Sequence, residues 1–351
     1  ALRQPGSAFK PIVYARAIED KTITAATVLK DRPRTFAANY RPQNYDRKFR
    51  GDVLVRRALA NSLNVPAVEV MEKVGTNNVL TMAGNMGITT LKSVSDYGPS
   101  LVLGTGETRL TELTSAYGVF ANGGKRIPIT TITKVQNKQG KTIFRNRQKS
   151  TQVINPAVAF IVSSILSDNA ARAELFSNRL NVNRPAAVKT GTTEDYRDAL
   201  TVGYTPSVVV GVWVGNNDNT PMDNIAGSLG PAPVWRSLIE RYSKGLSSES
   251  FKPPGNVAAL SVCRSNGLKA LRPGAATYTE YFLERTEPTQ SCNVPAPAPK
   301  PKNDKNDVIK PKEEERPGEE PLDDTPVEPT PSPTPEPTPT PLPPPQPPVT
   351  P

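Results

Sequence analysis

Between Ser7 and about Asp20, the apolar residues Phe9, Ile12, Val13 and Ala17 recur with the spacing of one helix face, which predicts the first helix. Pro11 fits that helix only if Ser7 opens it, because first-turn amides have no partner within the helix. Residues 31–50 are polar, basic and aromatic and read as a loop over the surface. Val53, Val55, Ala58 and Leu59 predict a helix from Asp52 to Ser62. Asn64-Val65-Pro66 marks a break before a second helix from about Ala67 to Val74. Leu110, Leu113, Ala116, Tyr117 and Phe120 predict a helix over Thr108–Asn122, closed by Gly123-Gly124. Asn155 as cap and Pro156 at the first position open another, running to about Leu166.

Elsewhere the pattern becomes short and strand-like. Ile127–Val135 and Thr142–Phe144 flank Asn137-Lys138-Gln139-Gly140, a hairpin signal. Ala186–Thr192, Leu200–Tyr204 and Val208–Val214 follow with short connections, which favours an antiparallel sheet. The last run is almost wholly apolar and reads as a central strand covered on both faces. Val234–Tyr242 predicts a final helix packing Trp235, Leu238 and Ile239. Helices on both faces of an antiparallel sheet make an α+β domain.

Composition then divides the chain. More than half of the 38 prolines lie after Asn293. That density removes backbone donors and favours extended polyproline conformation, so residues 293–351 are expected to be a disordered Pro-rich tail. Up to about Cys292 the chain is long enough to bury a substantial core. The net charge of +10 persists despite an acidic cluster from Lys312 to Asp324, so the folded part is more basic than the total. Such a surface suits an anionic polymer or simply a soluble exterior. No motif for reading nucleic acid is present, and no run of about 18 apolar residues marks a membrane span. Histidine is absent, which argues against most zinc sites, and no cofactor motif is seen. Gly104-Thr105-Gly106 lacks the Gly-Lys-Ser/Thr ending of a phosphate loop and reads as a turn. Cys263 and Cys292 can pair in an oxidising compartment or remain free. The abrupt start at Ala1 reads as a fragment with an upstream part missing.

Without histidine, a serine nucleophile needs another base. Ser7 and Lys10 are spaced i, i+3, one helical turn apart, so the amine can reach the hydroxyl. Lys189-Thr190-Gly191-Thr192 is the rarest of the short patterns. The hydroxyls of Thr190 and Thr192 can hold a carboxylate, and Gly191 can admit a substrate backbone. The Thr192 and Ser7 amides can form an oxyanion hole. Lys189 near Lys10 would lower the pKa of the Lys10 amine. Ser-x-Asn occurs at Ser62-Asn64, Ser167-Asn169 and Ser291-Asn293. The second follows a helix end too near Lys189, and the third borders the tail. Ser62 falls at a helix-to-helix junction, where a short loop can aim two polar side chains into a cleft.

Here the chain resembles the transpeptidase domain of class A penicillin-binding proteins. The resemblance rests on Arg3–Pro11, Ala60–Ala67, Leu113–Tyr117, Phe120–Gly124, Val188–Thr193, Val202–Pro206 and Gly211–Gly215, and runs from Leu2 to about Tyr242. Glu280-Tyr281-Phe282 and Thr286-Glu287-Pro288-Thr289 are similar to the region that follows this domain in some members. It implies a DD-peptidase/β-lactamase-like fold and a D-alanyl-D-alanine transpeptidase that β-lactams acylate. The resemblance would divide the chain into a domain over residues 1–245 and a C-terminal extension over 246–292. Ser7 would be the nucleophile and Lys10 its base. Ser62 and Asn64 would relay protons and hold the donor, with Lys189, Thr190, Gly191 and Thr192 on the substrate-facing strand. The implied partners are peptidoglycan stem peptides, β-lactams and a cell-wall synthesis complex, at the extracytoplasmic face of the membrane. An anchor, a glycosyltransferase domain and the first strands of the sheet would lie upstream. Leu200-Thr201 replaces an aromatic pair, and Glu194 a small polar residue, in the family pattern.

Other classes share the serine and lysine. A β-lactamase must hydrolyse the acyl-enzyme quickly, for which class A enzymes use a glutamate, and no glutamate lies between Asp96 and Gly104. Glu107 and Glu112 are better explained as partners of a helix dipole. A DD-carboxypeptidase, or a wall-binding or β-lactam-sensing domain that acylates once, would need the same residues.

Overall fold

Phe9, Ile12, Val13 and Ala17 are all fully buried, on the helix their spacing predicted. In the computed structural model, which describes residues 1–292, β1 (Leu2–Arg3) leads into a 3-10 turn (Gly6–Phe9) and α1 (Lys10–Glu19). Pro11 sits in the first turn of α1, where its missing amide costs nothing. β2 (Val28–Asp31) and β3 (Gly51–Leu54) form an antiparallel pair. The helix expected from Asp52 therefore starts only at Val55, because Asp52 and Val53 are held in the ladder opposite Lys30 and Leu29. It runs as α2 (Val55–Ala60).

α3 (Asn64–Val74) begins three residues before the expected Ala67, since Pro66 falls in its first turn and breaks nothing. α4 (Thr76–Met86), which periodicity had not revealed, precedes β4 (Thr108–Arg109), the partner of β1. α5 (Leu110–Ala121) ends at Gly123 and Gly124, both with positive φ. β5 (Lys125–Arg126) pairs with β8 (Thr151–Gln152) around the hairpin of β6 (Lys134–Gln136) and β7 (Thr142–Arg145). The hairpin is where it was expected, but residues 127–133 are not strand. α6 (Pro156–Leu166) is capped by Asn155, whose side-chain oxygen accepts the Ala157 amide at 2.9 Å. α7 (Asn169–Phe176), also missed, is capped in the same way by Asp168.

β9 (Ala187–Thr192), β10 (Asp198–Tyr204) and β11 (Val209–Gly215) form an antiparallel sheet in the order β11-β10-β9, followed by α8 (Pro231–Tyr242). Ala187, Leu200, Val202 and Tyr204 face the main core of α1, α5 and α6. Val188, Val210 and Val212 face Trp235 and Ile239 of α8. Helices thus cover both faces, as the α+β reading expected. The centre, however, is β10, buried throughout, whereas β11 is half-buried and pairs on one side only among the described residues. Covering by α5 and α8 makes β11 apolar; its place in the hydrogen-bond order does not.

Residues after α8 build a second sheet from β12 (Val257–Cys263), β13 (Lys269–Ala270), β14 (Thr277–Leu283) and β15 (Ser291–Cys292), in the order β14-β12-β13-β15. Cys263 and Cys292 are joined in a disulfide. The expected Pro-rich tail lies outside the described residues.

Candidate active site

The turn carrying Ser7 lies directly on β9. A Cβ on Gly6 would come within 2.8 Å of the Thr192 carbonyl oxygen, and a Cβ on Gly191 within 2.1 Å of the Pro5 carbonyl oxygen. The sequence reading gave Gly191 to substrate approach. In the structure that space is taken by the chain's own Pro5 carbonyl, so the glycine serves turn-to-strand packing. Gly104, in the segment read as a plain turn, has φ +78° and would place a Cβ 2.2 Å from the Gly6 carbonyl oxygen. The buried Tyr117 hydroxyl donates to the Ala8 carbonyl at 2.6 Å and pins the other end of the turn.

Ser62 occupies the junction between α2 and α3. The Ser62 amide donates to the Leu59 carbonyl and the Leu63 amide to the Ala58 carbonyl, both at 3.0 Å, which is a Schellman ending for α2. The left-handed position of that motif is usually glycine, yet Ser62 holds it with φ +59°. Asn64 opens α3, and its amide donates to Asn44 Oδ1 at 2.7 Å. Asn44 in turn donates to the fully buried Asp31 carboxylate at 2.7 Å. Residues 31–50 are therefore more than a surface loop, because two of their polar side chains are buried to hold the Ser62-Asn64 junction.

Two lysines meet at this junction. Lys10 Nζ donates to the Ser62 carbonyl and to Asn64 Oδ1, both at 2.6 Å, with Ser62 Oγ at 3.4 Å. Lys189 Nζ donates to Ser62 Oγ at 2.7 Å and to the Thr190 carbonyl at 3.0 Å. Both side chains are buried. Burial, and then the charge of Lys189, holds the Lys10 amine well below the ordinary lysine value. Burial brings Lys189 down to about 7.

Ser7, Ser62, Asn64, Thr190 and Thr192 line one pocket, which Tyr45 and Arg179 border. Lys10, Lys189 and Gly191 lie behind these residues and complete the set the sequence singled out. Thr192 Oγ1 accepts the Gly227 amide at 3.0 Å, which leaves its own proton free to donate. Asp46 is the one carboxylate among the lining residues, and it is ion-paired with Arg50 at 2.6 Å. Glu112 is held in the first turn of α5 by Thr89 and Arg109. In the rejected Ser167-Asp168-Asn169, Asp168 caps α7. Asn44, Asp31, Gly104 and Tyr117 were missed, since each acts through contacts with residues distant in sequence. Only the polar residues embedded in an otherwise exposed stretch hinted at Asn44.

The penicillin binding protein transpeptidase domain family matches residues 2–239, and the C-terminal domain of penicillin-binding protein 1A matches residues 253–297. Penicillin-binding protein 2D of Bacillus subtilis is 31% identical over 314 residues, covering 85% of this chain and 44% of its own length. Penicillin-binding protein 1A of Aquifex aeolicus is 34% identical over 305 residues, covering 84% and 40%. The chain thus spans about two fifths of these curated relatives. Among solved structures, PonA1 of Mycobacterium tuberculosis in complex with penicillin V superposes with a TM-score of 0.66 at 27% identity, covering 78% of this chain and 76% of that one. Penicillin-binding protein 1A of Haemophilus influenzae superposes with a TM-score of 0.73 at 24% identity, covering 83% and 49%, which bears on fold alone. With the paired lysines, the Ser-x-x-Lys turn and the Lys-Thr-Gly-Thr strand on one cleft, the chain belongs to the penicillin-binding protein transpeptidase family.

Proposed function

We propose that this chain is the acyl-transfer part of a D-alanyl-D-alanine transpeptidase that cross-links peptidoglycan stem peptides and is acylated by β-lactams. The observation that carries this reading is the pair of buried amines on Ser62. A neutral lysine has two N–H bonds and one lone pair. The Ser62 carbonyl and Asn64 Oδ1 accept two N–H bonds from Lys10, which leaves its lone pair free to take a proton. Ser7 lines the same pocket, and its hydroxyl makes no hydrogen bond to Lys10 in this structure, so that contact is proposed to form with the substrate bound. Ser7 Oγ attacks the penultimate D-alanine carbonyl and its proton passes to Lys10. The Ser7 and Thr192 amides would stabilise the oxyanion, each such donor being worth about 2.7–4 kcal/mol in sites of this kind. Ser62, accepting from Lys189, passes its proton to the departing D-alanine amine and is replenished by the proton Lys10 took from Ser7; the reverse relay takes the proton of the incoming amine. The Thr190 and Thr192 hydroxyls face the terminal carboxylate. An amine of a second stem peptide then attacks the ester and regenerates Ser7.

The division at about residue 245, with residues 246–292 as a separate C-terminal module, belongs to the same proposal. So do a position outside the cytoplasmic membrane and a parent protein carrying a membrane anchor and a peptidoglycan glycosyltransferase, as in the class A pattern. Among the described residues, no helix is long and apolar enough to cross a membrane. Incubation with a fluorescent penicillin should label the chain stably, and Ser7→Ala should take no label. Mass spectrometry should find D-alanine released from a D-alanyl-D-alanine peptide. Rapid loss of label would mean a β-lactamase; labelling without release would mean a sensor; undiminished labelling of Ser7→Ala would end the proposal.

A further inference from the structure

The C-terminal sheet touches the catalytic body at the helix that ends in Ser62. Glu280 on β14 is fully buried, and the guanidinium of Arg56, the second residue of α2, donates to it from two nitrogens. The same guanidinium donates to the Ser164 carbonyl and hydroxyl on α6, both at 3.0 Å, and to Asp168, the cap of α7, at 3.3 Å. One side chain therefore ties α2, α6, α7 and the second sheet together. Bidentate arginine–carboxylate pairs fix orientation as well as distance.

A second attachment reaches α2 through its backbone. The first amides of α2, on Val55 and Arg56, donate to the carbonyls of Thr27 and Ala25 at 2.9 and 3.0 Å. The residue between those two, Ala26, is packed by Val262 and Phe282 of the C-terminal sheet. Gly267 of that sheet, at φ +70°, would place a Cβ 2.1 Å from the Ala26 carbonyl oxygen. Both attachments seize the start of a six-residue helix whose last turn holds Ser62 in a left-handed conformation. The carbonyls of Ala58 and Leu59, which hold the Leu63 and Ser62 amides, lie just after Arg56 in the chain, so a displacement at the start of α2 reaches Ser62 with little helix to absorb it.

We propose that the C-terminal module is a brace for catalysis, with Glu280 and Gly267 as positioning residues that set where Ser62 meets Lys10 and Lys189. The proposal rests on the acyl-transfer reading above. Neither residue lines the pocket, so each acts on Ser62 at a distance, through Arg56 or through the Ala25–Thr27 backbone that holds the first amides of α2.

Time courses of fluorescent-penicillin labelling, taken on the whole chain under conditions where circular dichroism shows it folded, separate bracing from mere stability. Loss of folded protein lowers the amplitude of labelling, whereas displacement of Ser62 lowers its rate constant. Glu280→Gln and Gly267→Ala are each expected to label to full amplitude at a rate reduced on the order of tenfold or more, as small misplacements in active sites do. Arg56→Lys, which keeps the charge and loses the fork, should behave likewise and carries the test if Glu280→Gln does not fold. Unchanged rate constants in the folded variants would overturn the brace while leaving acyl transfer intact. An unaltered chain that takes no label would overturn both.

Discussion

The amine of Lys189, on β9, stands 2.7 Å from the hydroxyl of Ser62, a residue 127 positions earlier at the end of α2. Lys10 arrives at the same residue from α1 and takes its carbonyl at 2.6 Å. Two buried amines sharing one serine oppose each other's charge, and at Lys10 this adds to burial in disfavouring the protonated form.

Acylation is expected to rise with pH as the amines lose their protons, through a limb set by Lys10 and by Lys189 near about 7. Removing Lys189 takes away the neighbouring charge but not the burial. Lys189→Ala should therefore raise the Lys10 value partway and move the limb to higher pH, alongside a large loss of rate. The pH profile of penicillin labelling for the two chains checks this. An unmoved limb in the variant would refute the coupling.

Stability should respond with a definite sign. The Lys189 amine lies at about 7 in the folded chain against 10.5 in the unfolded one, so the unfolded state binds more protons between those values. Stability is therefore expected to rise with pH across that window and to flatten below it, as far as this group is concerned. Lys189→Met should make the rise shallower, and the part that remains is expected from the lowered Lys10 amine. Denaturant unfolding at several pH values reads the slope directly.

At Ser62, glycine and alanine both remove the hydroxyl, but only glycine adopts φ +59° without strain. Ser62→Gly is expected to be more stable than Ser62→Ala by about 1 kcal/mol, with labelling severely reduced in both. Equal stability of the two variants would show that the left-handed turn relaxes when the side chain changes.

Gly104→Ala tests how tightly the nucleophile turn is held. Its Cβ would meet the Gly6 backbone at 2.2 to 2.6 Å in a φ +78° conformation. The expected cost is about 1–3 kcal/mol, as for other overpacked sites, together with slower labelling because Ser7 must move. A variant with normal stability and rate would place the contact outside the working site.

Reduction of Cys263–Cys292, which closes a loop with a sequence separation of 29, should lower stability by about 3–4 kcal/mol. Thermal unfolding with and without reductant measures it. No shift would mean that the C-terminal sheet unfolds independently of the rest.

Helix α6, with its Asn155 cap and Pro156, and the three runs that became β9, β10 and β11 could be read from the sequence because their signals are local. The boundaries of α2 could not, since Asp52 and Val53 enter a strand only when β2 lies alongside. The motif residues Ser7, Lys10, Ser62, Asn64, Lys189, Thr190 and Thr192 were named from spacing and chemical type together with the resemblance to the family, which supplied their roles. Gly191 was named for the wrong neighbour, because sequence shows that a glycine admits something close but not what approaches it.

The order of apolar and polar residues thus showed most of the helices, though not α4 or α7, and the strands β9, β10 and β11, while residue type and spacing showed which side chains could do acyl transfer. Only the tertiary structure decided that Lys10 and Lys189 converge on one serine, that Asn44 and the buried Asp31 steady it, and that Arg56 reaches Glu280. Local pattern depends on neighbours within a turn or two, where backbone geometry is nearly fixed. Those contacts join residues tens to hundreds of positions apart, and they exist only once the core has brought their elements together.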